Sequence, residues 1–173
     1  TERALNGETF VTPPFFSVVM MKDADSRMRM GVPTMYACAP VRDQSFQPIA
    51  VLAIQIRPES EFEQILQLGQ VGPAGETYAF NADGIMVSSS RFDEQLILLG
   101  LLPDQPNSQS MLQLMIRDPG ANMTDGFRPD VRRSQLPLTV MAADAIAGNE
   151  SVNVVGYRDY RGVPVIGAWR WLP

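Results

Sequence analysis

The side chains that most often carry chemistry are scarce here. The 173-residue chain has no histidine, so no Ser-His-Asp or Cys-His nucleophile, HExxH zinc site or imidazole proton shuttle can be assembled from it. Its single cysteine, Cys38, leaves no internal disulfide and no thiolate metal cluster. Cys38 lies in Met35-Tyr36-Ala37-Cys38-Ala39, an apolar strand-like run, and reads as a small buried hydrophobe rather than a reactive thiol. Only hard-oxygen ligands remain, which suit calcium or magnesium at best. The expectation is no enzymatic activity, no cofactor and no tightly bound transition metal.

Several constellations resolve into ordinary structure when their spacing is checked. Asn81-x-Asp83-Gly84 has the look of a calcium loop, but that register puts Ala79 first and Ser90 twelfth, where carboxylates are required. Gly72-x-x-Gly75 lacks the lysine of a phosphate-binding loop. Asp118, Asp125 and Asp130 could in principle supply paired carboxylates, yet they stand among Pro119, Gly120, Gly126 and Pro129 and read as turn residues. In Ser88-Ser89-Ser90-Arg91 a serine nucleophile would need Lys22 or a carboxylate as its base, so strand-end hydrogen bonding competes with a polar ligand pocket lined by Ser88, Ser90 or Arg91.

The richest stretch is the last. Tyr157, Arg158, Tyr160, Trp169, Arg170 and Trp171 put aromatic walls beside guanidinium groups, which can recognise small carboxylates or cations. Cross-strand packing is the competing reading, since alternation puts Trp169 and Trp171 on one face and Ala168 and Arg170 on the other. The candidate ligand-binding set is Tyr78, Ser88, Arg91, Tyr157, Trp169 and Arg170. A ligand would lie against a sheet face holding Tyr78 and Tyr157, with Arg91 or Arg170 meeting its charge.

Composition narrows the classes further. There are 14 Lys+Arg against 19 Asp+Glu, a formal net charge of −5. Thirteen of the basic residues are arginine, scattered along the chain, which argues against a nucleic-acid partner. The 45% hydrophobic and 19% charged fractions are those of a globular protein. A chain of this length can bury roughly 70% of its unfolded surface without disulfide or metal. The longest apolar run, Ile49–Ile56, is too short to span a bilayer. The start Thr1-Glu2-Arg3 has no signal-peptide character, so an excised segment is expected.

The elements that must position these residues are short, because thirteen glycines and fourteen prolines cut the chain into pieces. Residues 1–33 read as irregular, with one short strand near Phe15–Met21. Thr34–Val41 and Ile49–Ile56 form a hairpin across Arg42–Pro48. A helix follows Pro58, with Phe62, Ile65, Leu66 and Leu68 on one stripe. Glu76–Phe80 and Ile85–Ser89 flank the Asn81–Gly84 turn, and Phe92–Leu102 and Leu138–Ala147 read as helices. Val152–Arg158 pairs with Val163–Trp171 around Asp159-Tyr160-Arg161-Gly162. The fold class is α+β, with the two later hairpins expected in one antiparallel sheet.

Two stretches together carry a family resemblance. Gly75-Glu76-Thr77-Tyr78-Ala79-Phe80-Asn81-Ala82-Asp83-Gly84, running on to Ser88-Ser89-Ser90-Arg91-Phe92, is the first. Gly156-Tyr157-Arg158-Asp159-Tyr160-Arg161-Gly162-Val163-Pro164-Val165 is the second. The chain resembles the double-Cache sensor domains of bacterial transmembrane kinases, cyclases and chemoreceptors. That resemblance, over roughly residues 33–172, implies a PAS-like antiparallel sheet flanked by helices. Residues 1–58 would be the end of a membrane-distal module and 59–173 a membrane-proximal module lacking its last strand. It further implies an extracytoplasmic location and no catalysis. The partners would be a small molecule (an amino acid, carboxylate or amine), a second copy of the chain, and a membrane reached only through segments outside these residues. A spacer that relays signal without a ligand is the alternative.

Overall fold

The computed structural model describes residues 2–23 and 25–172, leaving aside the side chains of residues 60–63 and 67. The chain divides into two compact units, 1–77 and 78–173, each described separately below. It is α+β: short helices with antiparallel strand pairs.

The first unit is organised by one long hairpin. Strand β5 (Pro33–Arg42) pairs antiparallel with β6 (Pro48–Ile56), in register from Met35 opposite Ile56 to Val41 opposite Ala50. Ile, Val, Thr and Tyr supply the β-preferring residues, and the connection is built by Asp43, whose Oδ1 accepts from Ser45 N at 2.8 Å and Gln47 N at 2.9 Å. The far edge of β5 takes two short strands, β1 (Phe10–Val11) and β2 (Phe15–Phe16). Helix α1 (Glu2–Leu5) packs on β5 and β6. Cys38 is buried, as its neighbours predict. A small ribbon, β3 (Met21–Lys22) with β4 (Met28–Arg29), and helix α2 (Pro58–Gln67), with proline in its first turn, complete the unit.

The second unit has its core between helices α3 (Asp93–Leu98) and α4 (Val140–Ile146), where Met86, Leu96, Leu114, Ile116, Ala142 and Tyr160 are fully buried. Thr139 caps α4 by accepting from Ala142 N at 3.3 Å. Both helices are shorter than the sequence stripes suggest: Gly100 (φ +73°) and Gly148 (φ +89°) take the left-handed conformation just past their ends.

Strand β7 (Glu150–Arg158) pairs with β8 (Pro164–Arg170) as a separate two-stranded ribbon. The expectation of one sheet holding both later hairpins is therefore corrected. Around Asn81–Gly84 the turn forms, with Asn81 Oδ1 accepting from Asp83 N and Ile85 N, but the flanking residues make isolated bridges only. The hairpin's own bonds form there, Asn81 N donating to Ile85 O at 2.9 Å and Val87 N to Ala79 O at 2.8 Å. On the other edge Met86 N donates to Leu114 O at 2.9 Å and Leu112 N donates to Met86 O at 2.8 Å, so the 85–87 segment lies between the 79–81 arm and 112–116.

Candidate functional site

The turn of the β7–β8 hairpin is the most buried part of it. Asp159 and Arg161 are each more than nine-tenths buried, and Tyr160 between them is fully so. Two residues apart in a tight turn, the carboxylate and guanidinium reach each other: Arg161 donates from Nε at 2.9 Å and NH2 at 2.7 Å to Asp159 Oδ2. Asp159 Oδ1 accepts from the backbone N–H of Arg161 and Val163, and Arg161 NH1 donates to Gln95 Oε1 at 2.8 Å. The same guanidinium lies 3.8 Å over the Phe92 ring. A charge pair placed in a core has to be satisfied this fully, because desolvation otherwise outweighs its attraction. Gly162 closes the turn at φ +80°, and a Cβ there would run into the Ala121 carbonyl.

Tyr160 ties the two resemblance-bearing stretches together. Its hydroxyl lies 2.9 Å from Ser90 Oγ, and Tyr78 stacks edge-on against its ring at 5.6 Å and 77°. Ser88 is buried beside them, its Oγ accepting from Ala79 N at 3.1 Å. Arg91, by contrast, is exposed, with its guanidinium 5.8 Å from the Phe92 ring.

The remaining sequence candidates separate by strand alternation. Tyr157 and Trp169 are on the face turned to α4, stacked edge-on at 5.8 Å, and Trp169 Nε1 donates to Asp144 Oδ2 at 2.7 Å. A Cβ at Gly167 would meet the Tyr157 hydroxyl, so the glycine makes room for the ring. Burial, with the nearby Asp159 charge, pushes the Tyr157 phenol up from its usual range. Arg170 takes the other face, paired with Glu150 directly across the ribbon at 3.1 Å, with both side chains mostly exposed. The six candidates therefore occupy three places: Tyr78 and Ser88 around Tyr160, Tyr157 and Trp169 under α4, and Arg91 and Arg170 at the surface.

Sequence reasoning did not find the concave feature of the first unit. An open cleft of about 830 Å³ is lined by Met20, Met21, Lys22, Met28, Gln55, Ile56 and Arg57. That volume lies within the range of small-molecule sites. The β3–β4 ribbon sets Lys22 opposite Met28, placing the ammonium and a thioether side by side. The turn of this ribbon is held by Asp23, which accepts from Arg27 N at 2.9 Å and Arg29 Nε at 3.1 Å. Those backbone and guanidinium donors keep its carboxyl below the usual range. Lys22 has no ion pair among the described residues. The only signal in the sequence was the mixture of methionines and charges at 20–30.

Among the described residues, no set of three His, Cys, Asp or Glu is placed to hold a metal, and no helix is long and apolar enough to cross a membrane. In comparison with known proteins, no family model matches the chain, and no curated protein or solved structure matches it either.

Proposed function

We propose that the chain is an extracytoplasmic small-molecule sensing module of a membrane-bound signal-transduction receptor, a kinase, cyclase or chemoreceptor, with the PAS-like architecture of Cache domains and no catalysis of its own. The observation that carries ligand binding is the cleft of the first unit, which combines an apolar wall of Met20, Met21, Met28 and Ile56 with the polar ends of Lys22, Gln55 and Arg57. Apolar concavities with a few polar groups are how small molecules are held and oriented. Two cations at its edge favour a carboxylate-bearing ligand with an apolar body, an amino acid or small organic acid. The receptor assignment draws on the resemblance of the 75–92 and 156–165 stretches, whose Tyr78, Ser90 and Tyr160 side chains meet.

One observation favours the second reading, a spacer that relays signal without a ligand. In the second unit the space around Tyr78 and Ser88 is filled by Tyr160, Met86, Leu114 and Ile116 rather than left open.

A thermal-shift screen of the chain against amino acids, small carboxylates and amines separates the two. A ligand held in the cleft raises the melting midpoint with its concentration, and Lys22→Gln weakens that response about tenfold. No shift with any class of compound, together with a concentration-dependent dimer, selects the spacer.

A further inference from the structure

Arg117 and Arg133 of the second unit are partly buried and have no ion pair among the described residues. Residues 116–118 and 137–139 run side by side, with Asp118 N donating to Pro137 O at 2.9 Å and Thr139 N to Ile116 O at 3.2 Å. Arg117 bridges to Leu138 in this ladder, and its NH1 donates to Leu136 O at 3.3 Å. Arg133 NH2 donates to Met115 O at 2.8 Å and to Tyr160 O at 3.0 Å. In both side chains Nε is buried and has no acceptor.

The surrounding charges do not balance. Arg158 takes Asp118 through two 2.8 Å contacts, and Arg161 takes Asp159. Arg117 and Arg133 have no carboxylate within 4 Å among the described residues. Asp118, next to Arg117 in the chain, and Asp159, whose charge acts on Arg133, are thus both already engaged by other guanidinium groups. Both residues, Arg117 and Arg133, reach the Met115 carbonyl, Arg117 through its backbone N–H and Arg133 through NH2, so they share one neighbourhood. Burial lowers Arg133 to about 10, against the opposing pull of Tyr160 and Asp159 and with the like charge of Arg117 adding to it, so Arg133 is charged at neutral pH. Partly buried guanidinium groups with neutral carbonyl acceptors at their tips, no carboxylate within 4 Å and no acceptor at Nε represent an unmet electrostatic demand.

We propose that Arg117 and Arg133 form an oxyanion site, receiving one carboxylate or phosphate group of a small molecule between their guanidinium forks. Such a group supplies the missing negative charge and two or more acceptor oxygens at once, which a planar guanidinium matches by paired N–H donation. It approaches from the partly exposed side of the two residues, meets the terminal NH groups, and reaches Nε once each plane turns toward it. The site belongs to the second unit and rests on nothing proposed for the cleft.

The test uses the whole 173-residue chain labelled with ¹⁵N. Buried Nε–H protons exchange slowly, so the Arg117 and Arg133 signals stand apart from those of exposed arginines. Sodium phosphate and sodium malonate are titrated separately at constant ionic strength, with chloride as the balancing anion. Saturable shifts of both signals are expected. Phosphate acting alone identifies a phosphate-class ligand, malonate acting alone a carboxylate, and either supports the site. Arg117→Gln is expected to weaken binding roughly tenfold or more, since one fork is removed. Signals that fail to saturate with either anion overturn the proposal, as does a folded Arg117→Gln variant that binds as tightly as the parent. If that variant does not fold, saturation in the parent chain decides alone.

Discussion

The hydroxyl groups of Tyr160 and Ser90 lie 2.9 Å apart in the core of the second unit, seventy positions apart in the chain. Ser90 Oγ also accepts from Phe92 N at 3.0 Å, so one small side chain holds the entry to α3 and the β7–β8 turn together. Tyr160→Phe keeps the ring packing and loses this bond, and is expected to cost about 1–2 kcal/mol in urea unfolding. Tyr160→Ala also empties a fully buried site and is expected to cost about 3–5 kcal/mol. Equal effects from the two variants would mean the ring itself contributes nothing.

The Asp159–Arg161 pair is expected to behave as a buried, fully satisfied ion pair. Asp159→Ala strands the guanidinium and two turn N–H groups, and should destabilise by about 3–5 kcal/mol. Asp118→Ala, at the more exposed Arg158 contact, should cost no more than about 1 kcal/mol. Chemical denaturation of both variants checks the ranking.

Trp169 offers an optical readout. Asp144→Ala removes the acceptor for Trp169 Nε1 and is expected to cost about 1–2 kcal/mol. Its emission should move to the red as the ring loosens from α4, and unchanged emission and stability would show that the contact is not made in solution.

Acidification should act oppositely on Asp23 and Asp93. Asp23 sits below the ordinary range because Arg27 N–H donates to it, so its stabilising contribution is present above about pH 4 and is lost as pH falls through its folded value. Asp93 is raised by burial, against the hydrogen bonds from Ser110. Its charged form therefore costs stability at neutral pH, and that cost is relieved as pH falls through the raised value. Melting curves between pH 7 and 3 should be less acid-sensitive in Asp23→Asn and more acid-sensitive in Asp93→Asn than in the parent. Parallel curves for all three proteins would contradict both assignments.

The β5–β6 hairpin was readable because its information is local: β-preferring residues on both arms and an Asp43 turn between them. The second partner of the 85–87 segment was not, since 112–116 is a run of ordinary apolar residues whose pairing leaves no mark in one sequence. The spread of the six candidate residues over three places was hidden for a similar reason. Asp159-Tyr160-Arg161-Gly162 reads as a turn by composition, which carries no information on its burial. In the fold this turn is buried, while Val155 in β7 is 96% exposed. There Asn153 Oδ1 accepts from Val155 N and Gly156 N, opening a bulge that breaks the register between Asn153 and Tyr157. Arg117 and Arg133 drew no notice because arginines are spread evenly through the chain, and only the folded arrangement shows which carboxylates are already taken.

Lys22 is the chain's single side-chain amine, and it stands exposed at the cleft of the first unit. Amine-directed reagents therefore have one side-chain target, while the chain's one thiol, Cys38, is shielded by its burial. A fluorophore attached to Lys22 would report from the mouth of the cleft, turning an uneven use of basic residues into a ready-made address for watching that cavity fill.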